Sequence, residues 1–135
     1  MMTHRNPPHI LVAAWILLFT GCSGADTKPV DIHPEDMCAA CKMAFSDQRF
    51  AAEIVTEQGE AFKFDDIACL EGFESKHAGL NIAAVYYRDF ITKEWIPANG
   101  AVVIQTDLAS PMGSGKVAFK DSTKAREFLL MRHPH

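Results

Sequence analysis

Basic clusters are missing from this sequence: 13 Lys and Arg are scattered among 17 Asp and Glu, for a formal charge of −4. A mildly acidic surface with no basic stripe argues against nucleic acid as a partner. A Ser/His/Asp order, a paired general acid and base, and a phosphate loop are missing too. The "GSGK" at residues 113–116 lacks the Walker spacing. Nothing here points to an enzyme. Apolar runs are short: residues 10–19 form the longest, and a bilayer span needs about 20. Cysteine is scarce, with 4 in the chain, and Cys38-x-x-Cys41 has no second pair to complete a structural zinc site. His33 and His77 lack paired spacing, and His133 and His135 sit in a terminal "RHPH".

The apolar run, behind a polar leader with one Arg, has signal-peptide length. It ends in "FTGCS", which resembles a bacterial lipobox with Phe19 where Leu is usual. Residues 1–21 are therefore expected to be a lipoprotein signal peptide, and Cys22 the acylated (palmitate-type) anchor. Ser23 in second position gives no signal for inner-membrane retention. A periplasm-facing lipoprotein follows, held by its lipid alone and expected in the outer membrane. Residues 22–36, small, polar and proline-bearing, read as a flexible tether. Residues 37–135 are long enough for one domain with its own core.

Within that domain "RFAAEIVTEQGEAFKFDD" alternates as a hairpin, with a strand over residues 49–56, a turn at "EQG" and a strand over 60–64. Asp65 and Asp66 offer a helix cap, and Ile67, Leu70 and Phe73 follow at helical spacing until Gly79. "IAAVYYRDF" reads as a third strand. The pattern returns in the second half as "AVVIQT", "GKVAFKD" and a helix "STKAREFLLMRH" capped by Ser122. Phe64 and Phe119 align, each followed by Asp and then by Phe73 or Phe128. The expected fold is α+β: two small similar ββα(β) units in tandem, about residues 49–92 and 95–131, packed as one compact domain.

The stretch "EDMCAACKMAF" concentrates sulfur. With Cys22 acylated, Cys38, Cys41 and Cys69 remain, an odd number in an oxidising compartment. A redox dithiol needs a helix N-terminus after a strand, which is not evident upstream of Cys38. Cu(I) prefers thiolate and thioether donors, and a thioether cannot form a disulfide. Cys41 and Met43 form an i, i+2 pair whose sulfurs share a side if the segment is extended. Met112, on "LASPMGSG", sits where no tight turn needs a methionine. Cys41, Met43 and Met112 are the primary metal candidates, with Cys38, Met37 and Cys69 as further ones. Cys69 also reads as a buried thiol packed beside Leu70, and Asp65 and Asp66 as outer-sphere acids or a helix cap.

"MCAACKM", "FKFDDIACL", "EWIPANGAVVI" and "SPMGSGKVAFKD", in this order behind a lipobox, resemble the NosL family of nitrous-oxide reductase accessory lipoproteins. The resemblance implies a periplasmic Cu(I) chaperone serving the copper-sulfide centre of nitrous-oxide reductase, with that enzyme and its copper-site assembly machinery as partners in denitrification. It also implies a fold of two similar ββαβ units. The family's Cys-x-Met falls on Cys41 and Met43, and its "PMG" methionine on Met112. A thiol-disulfide oxidoreductase acting through Cys38 and Cys41, and a general periplasmic copper buffer, stay open as alternatives.

Overall fold

The computed structural model describes residues 26–132. The signal peptide expected over residues 1–21, the acylation site Cys22, and His133 and His135 lie outside the described residues. Among the described residues no helix is long and apolar enough to cross a membrane.

The alternating stretch behind the cysteine cluster forms a hairpin of β1 (Ala52–Thr56) and β2 (Ala61–Phe64). Its turn closes at Gly59, where φ is 83°, a left-handed conformation that costs glycine little. β1 starts later than the alternation suggests. Asp47 accepts from the Arg49 amide at 3.0 Å and winds Gln48–Phe50 into a 3-10 turn, which removes those residues from the strand. Asp66 caps α1 (Ile67–Lys76) by accepting from the Ala68 amide at 2.9 Å. β3 (Ile82–Arg88) runs antiparallel to β1, and β4 (Trp95–Pro97) pairs with β3, so the sheet order is β2-β1-β3-β4. β5 (Val102–Gln105) and β6 (Lys116–Phe119) form a separate hairpin, followed by α2 (Ser122–Arg132). The cap of α2 is Asp121 rather than Ser122. The Asp121 carboxylate reaches the Lys124 amide at 2.9 Å, whereas Ser122 is already the first helical residue.

The class is α+β, and the Phe64/Phe119 offset has a physical counterpart. Asp66 and Asp121 stand at the same offset and cap their helices, while Phe64 packs on Phe73 at 5.1 Å and Phe119 on Phe128 at 5.2 Å. The sheets are unequal, because β4 joins the first one and leaves the second with only its hairpin. Strand alternation places β6 between two cores. Ala118 packs with Ile54, Phe64, Ile67 and Leu70, while Val117 and Phe119 pack with Phe50, Phe90 and Phe128.

The segment expected to be a free tether is instead laid across the sheet from Thr27 onward. Val30 donates its amide to Glu53 Oε1 at 2.8 Å, and Lys63 Nζ donates to the Asp31 carbonyl and to Asp36 Oδ2, each at 2.6 Å. Tyr86 Oη donates to the Thr27 carbonyl at 2.9 Å, and Arg88 pairs with Asp31 at 3.2 Å. Ile32, within the strap, is buried. The strap bonds largely to side chains of the sheet rather than to a strand ladder, so it needs no alternating pattern and its sequence reads like a linker. Its consequence is that β1 is buried on both faces: Ala52 and Ile54 join the core with α1, and Glu53 lies under the strap.

The loop between β5 and β6 has a tight crossing at Gly115. Its φ is 66°, and a Cβ there would lie 2.2 Å from the Thr106 carbonyl oxygen. Gly115→Ala is expected to lower stability by about 2 kcal/mol. Thermal unfolding checks this, and an unchanged Tm would show that the crossing opens without cost.

Candidate metal centre

The site is built on a closed turn. Met37 and Ala44 form an antiparallel bridge, the Cys38 amide donates to the Met43 carbonyl at 2.8 Å, and the Lys42 amide donates back to the Cys38 carbonyl at 3.0 Å. Lys42 closes the loop with φ 63°, and its Nζ donates to the Ala39 carbonyl at 2.7 Å. The Ala39 amide, donating to the Lys63 carbonyl at 2.8 Å, pins the turn to β2. The extended geometry assumed for Cys41 and Met43 is therefore absent. Folding the turn back is what buries Cys38 completely, and it leaves Met43 at 56% exposure.

The β2–α1 junction supplies the rest. Asp65 is the residue before the cap and Cys69 lies in the first turn of α1; both are buried. One donor atom from each of Cys38, Cys41, Asp65 and Cys69 lies within 4.8 Å of all the others. A tetrahedral ion with metal–sulfur distances of about 2.3 Å needs sulfurs about 3.8 Å apart, so a small inward movement closes the set. All three thiols are free, and the Cys41 thiol donates to both oxygens of Asp65 at 3.6 Å. Burial pushes the Cys41 thiol above its ordinary value, against the Met43 amide, which pulls it down. Burial also pushes Cys69 up strongly, with Cys38 and Asp65 adding to the effect. Both shifts favour the protonated thiol over the thiolate that disulfide exchange requires. No helix follows Cys38 and Cys41 directly, and the turn gives them no helix dipole.

Two sequence expectations change here. Cys69, expected first as a packing residue, belongs to the core and to the donor cluster at once. A closed four-ligand site also becomes feasible, because Asp65 supplies the fourth donor that no Cys or His pair offered. No spacing rule signals it: Asp65 precedes the extended cap residue Asp66, so its approach to Cys69 is set by the β2–α1 junction and not by helical periodicity.

An open pocket of about 590 Å³ lies over the cluster, lined in part by Cys41, Cys69, Phe73, His77 and Met112. Met112, from the other half of the chain, lines the same pocket as Cys41 and Cys69. Met43 and Met37 do not line the pocket; Met37 is 54% exposed. His77 was not placed by spacing. It stands two turns after Cys69, its ring stacks on Phe73 at 4.0 Å, and its Nδ1 contacts the Phe73 carbonyl at 2.8 Å. His33 uses its amide to reach Asp36 at 2.7 Å and stays with the strap. Asp66 is the cap and touches none of the thiols; Asp65 does.

A small α+β domain that holds three free thiols and a carboxylate together beneath an open pocket has the framework of a soft-metal-binding protein. The chain belongs to the NosL family, whose profile matches residues 29–133. The crystal structure of the copper chaperone NosL from Shewanella denitrificans matches it with a TM-score of 0.66 and 16% identity, covering 78% of this chain and 87% of that one. At that identity the likeness is one of fold. Among curated proteins nothing matches.

Proposed function

We propose that this protein is a periplasm-facing, lipid-anchored Cu(I) chaperone that delivers copper for assembly of the copper-sulfide centre of nitrous-oxide reductase. Membership of the NosL family and the fold shared with a copper chaperone support the reading. The observation that carries it is the convergence of Cys38, Cys41 and Cys69 beneath a pocket that also admits Met112. Three thiolates and a thioether suit a soft d¹⁰ cation. Buried thiols on one side would hold the ion, and the open side would let a receiving protein add its own ligands before the last bond breaks. The site requires no catalytic step.

In this reading Cys38, Cys41 and Cys69 bind the ion, Asp65 accepts a hydrogen bond from the Cys41 thiol at their side, and Met112 closes the set. Met43 and Met37, exposed on the turn, are placed to meet the receiving protein's ligands. Asp65 also gives a second reading its one support, since a set of three sulfurs and an oxygen suits Zn²⁺ as well.

The expected result is one Cu(I) per reduced monomer, measured by competition with a Cu(I) chelator, with Zn²⁺ unable to displace it. Loaded protein should then transfer copper to apo nitrous-oxide reductase in the presence of its assembly machinery, faster than copper escapes to the chelator. Transfer no faster than escape would leave a buffer. Displacement of Cu(I) by equimolar Zn²⁺ would overturn the copper reading. Dithiol exchange abolished by Cys38→Ser, with copper affinity unmoved, would establish the oxidoreductase instead.

A further inference from the structure

The Asp66 carboxylate is fully buried, and each of its oxygens accepts two hydrogen bonds. Oδ1 accepts from the Ala68 amide at 2.9 Å and from Ser114 Oγ at 2.6 Å. Oδ2 accepts from Ser110 Oγ at 2.6 Å and from the Met112 amide at 3.0 Å. One donor belongs to the first turn of α1, and three belong to the loop before β6. Capping a helix end takes only the first of these bonds. The other three hold a loop that is more than forty residues away in the chain.

The bonds inside that loop depend on the same groups. Ser110 Oγ, while donating to Asp66, accepts from the Gly115 amide at 2.9 Å, and Ser114 Oγ accepts from the Lys116 amide at 3.1 Å. Gly113, with φ 73°, lets the backbone turn so that the amides of Met112 and Gly115 both point inward. On the helix side, the Asp66 carbonyl accepts from the Cys69 amide at 3.0 Å. Main-chain and side-chain bonds of this one residue thus fix the backbone on which Cys69 sits and the backbone on which Met112 sits. Desolvation by itself would raise its pKa, but the hydrogen bonds from Ser110, Ser114, Ala68 and Met112 outweigh it and hold the carboxyl below its ordinary value.

We infer that Asp66 is a positioning residue for the metal centre, one that never touches the ion but sets the distance between the Met112 thioether and the cysteine cluster. The inference rests on the Cu(I) reading above and adds the claim that Met112 contributes only while Asp66 holds its loop. A carboxylate that orients a ligand's backbone acts as an outer-sphere partner, and loss of such partners weakens metal binding by about 10–100-fold. Asp65, one residue earlier, faces the thiols instead and leaves the loop alone.

The test is a double-mutant cycle on the full reduced protein, read as Cu(I) affinity by chelator competition, with Tm recorded for every variant. Asp66→Asn and Met112→Leu are each expected to weaken binding about tenfold or more, and the double variant to be no weaker than the worse single one. Copper X-ray absorption should lose the long thioether scatterer in Asp66→Asn as it does in Met112→Leu. Ser114→Ala removes one bond of the clamp without uncapping α1; it should give a smaller loss that vanishes in the Met112→Leu background, and it serves if Asp66→Asn does not fold. Losses that multiply in the double variant, a Met112→Leu with wild-type affinity, or a retained thioether signal in Asp66→Asn would each overturn the inference while leaving the copper site standing. A wild-type protein that binds no Cu(I) would remove both.

Discussion

Cys41→Ser is expected to weaken Cu(I) binding by more than about 100-fold, beyond the range for an outer-sphere partner, while the Tm hardly moves. Among the described cysteines the two effects separate only at this position. Cys38 and Cys69 are buried in the core cluster, so a hydroxyl in either place would also disturb packing. Cys41 is only partly buried, lines the pocket, and still contacts Asp65, so it belongs to the closed cluster and to the open side at once. On the proposed reading, removing its sulfur takes away a cluster donor that faces the open pocket. Serine keeps the shape and the hydrogen bond to Asp65 but is a poor ligand for a soft cation. Met43→Leu makes the comparison sharp. Met43 is exposed and does not line the pocket, so its substitution is expected to cost less than about tenfold in affinity, below the effect of an outer-sphere partner. It should instead slow transfer to a receiving protein. Chelator competition and transfer kinetics on the two variants decide the point. A Cys41→Ser curve that overlays wild type would sink the assignment, and a Met43→Leu loss as large as that of Cys41→Ser would mean that the turn opens on loading.

What could be read in the chain follows from how local each feature is. The hairpin at "EQG", the cap before Ile67 and the helix to Lys76 are set by neighbours within a few residues, and alternation or spacing displays them. That Met112 and Cys41 line one pocket is a long-range feature. It was suggested by chemistry, because a methionine between Pro and Gly in a loop has no packing role, and by the family resemblance. Asp65 was missed as a donor because its neighbour Asp66 accounts for the acidic pair as a helix cap; only the fold shows that the two carboxylates face opposite ways. The shape of "CKM" was misjudged for a related reason. A lysine at φ 63° has no signature in sequence, and the hydrogen bond from the Cys38 amide to the Met43 carbonyl that demands it exists only once the turn is closed. The strap was hidden by composition. Its bonds run to Glu53, Lys63, Tyr86 and Arg88, whose places on one sheet face follow from cross-strand register rather than from any pattern within residues 27–36.

Glu53→Gln is expected to stabilise the protein at pH 8 by about 2 kcal/mol and to flatten its stability between pH 4.5 and 7. Glu53 is fully buried in the middle of β1, and burial raises its pKa from 4.5 to about 7. The Val30 amide and the charges of Lys63 and Arg88 pull it back, and Asp31 pushes it further up. Its Oε2 has no hydrogen-bond partner among the described residues, which leaves a charge on that oxygen uncompensated. For an acid whose folded pKa is raised, the folded state holds the proton longer than the unfolded chain does. The resulting stability is fully present below pH 4.5, is lost as pH rises towards 7, and changes no further above that. The span is worth about 3 kcal/mol, at 1.36 kcal/mol per unit. Glutamine stays neutral throughout and can still accept from Val30, but its amide protons need partners, at a cost of about 1 kcal/mol. Hence the net gain at pH 8, and below pH 4.5 a variant no more stable than wild type. Urea unfolding from pH 4 to 8 tests the slope, and parallel profiles for the two proteins would refute it. Hydrogen exchange gives a local check, because the strap is what the charge disfavours. Protection of the Val30 amide, corrected for intrinsic exchange, should fall in wild type as pH rises from 4.5 to 7 and hold steady in Glu53→Gln.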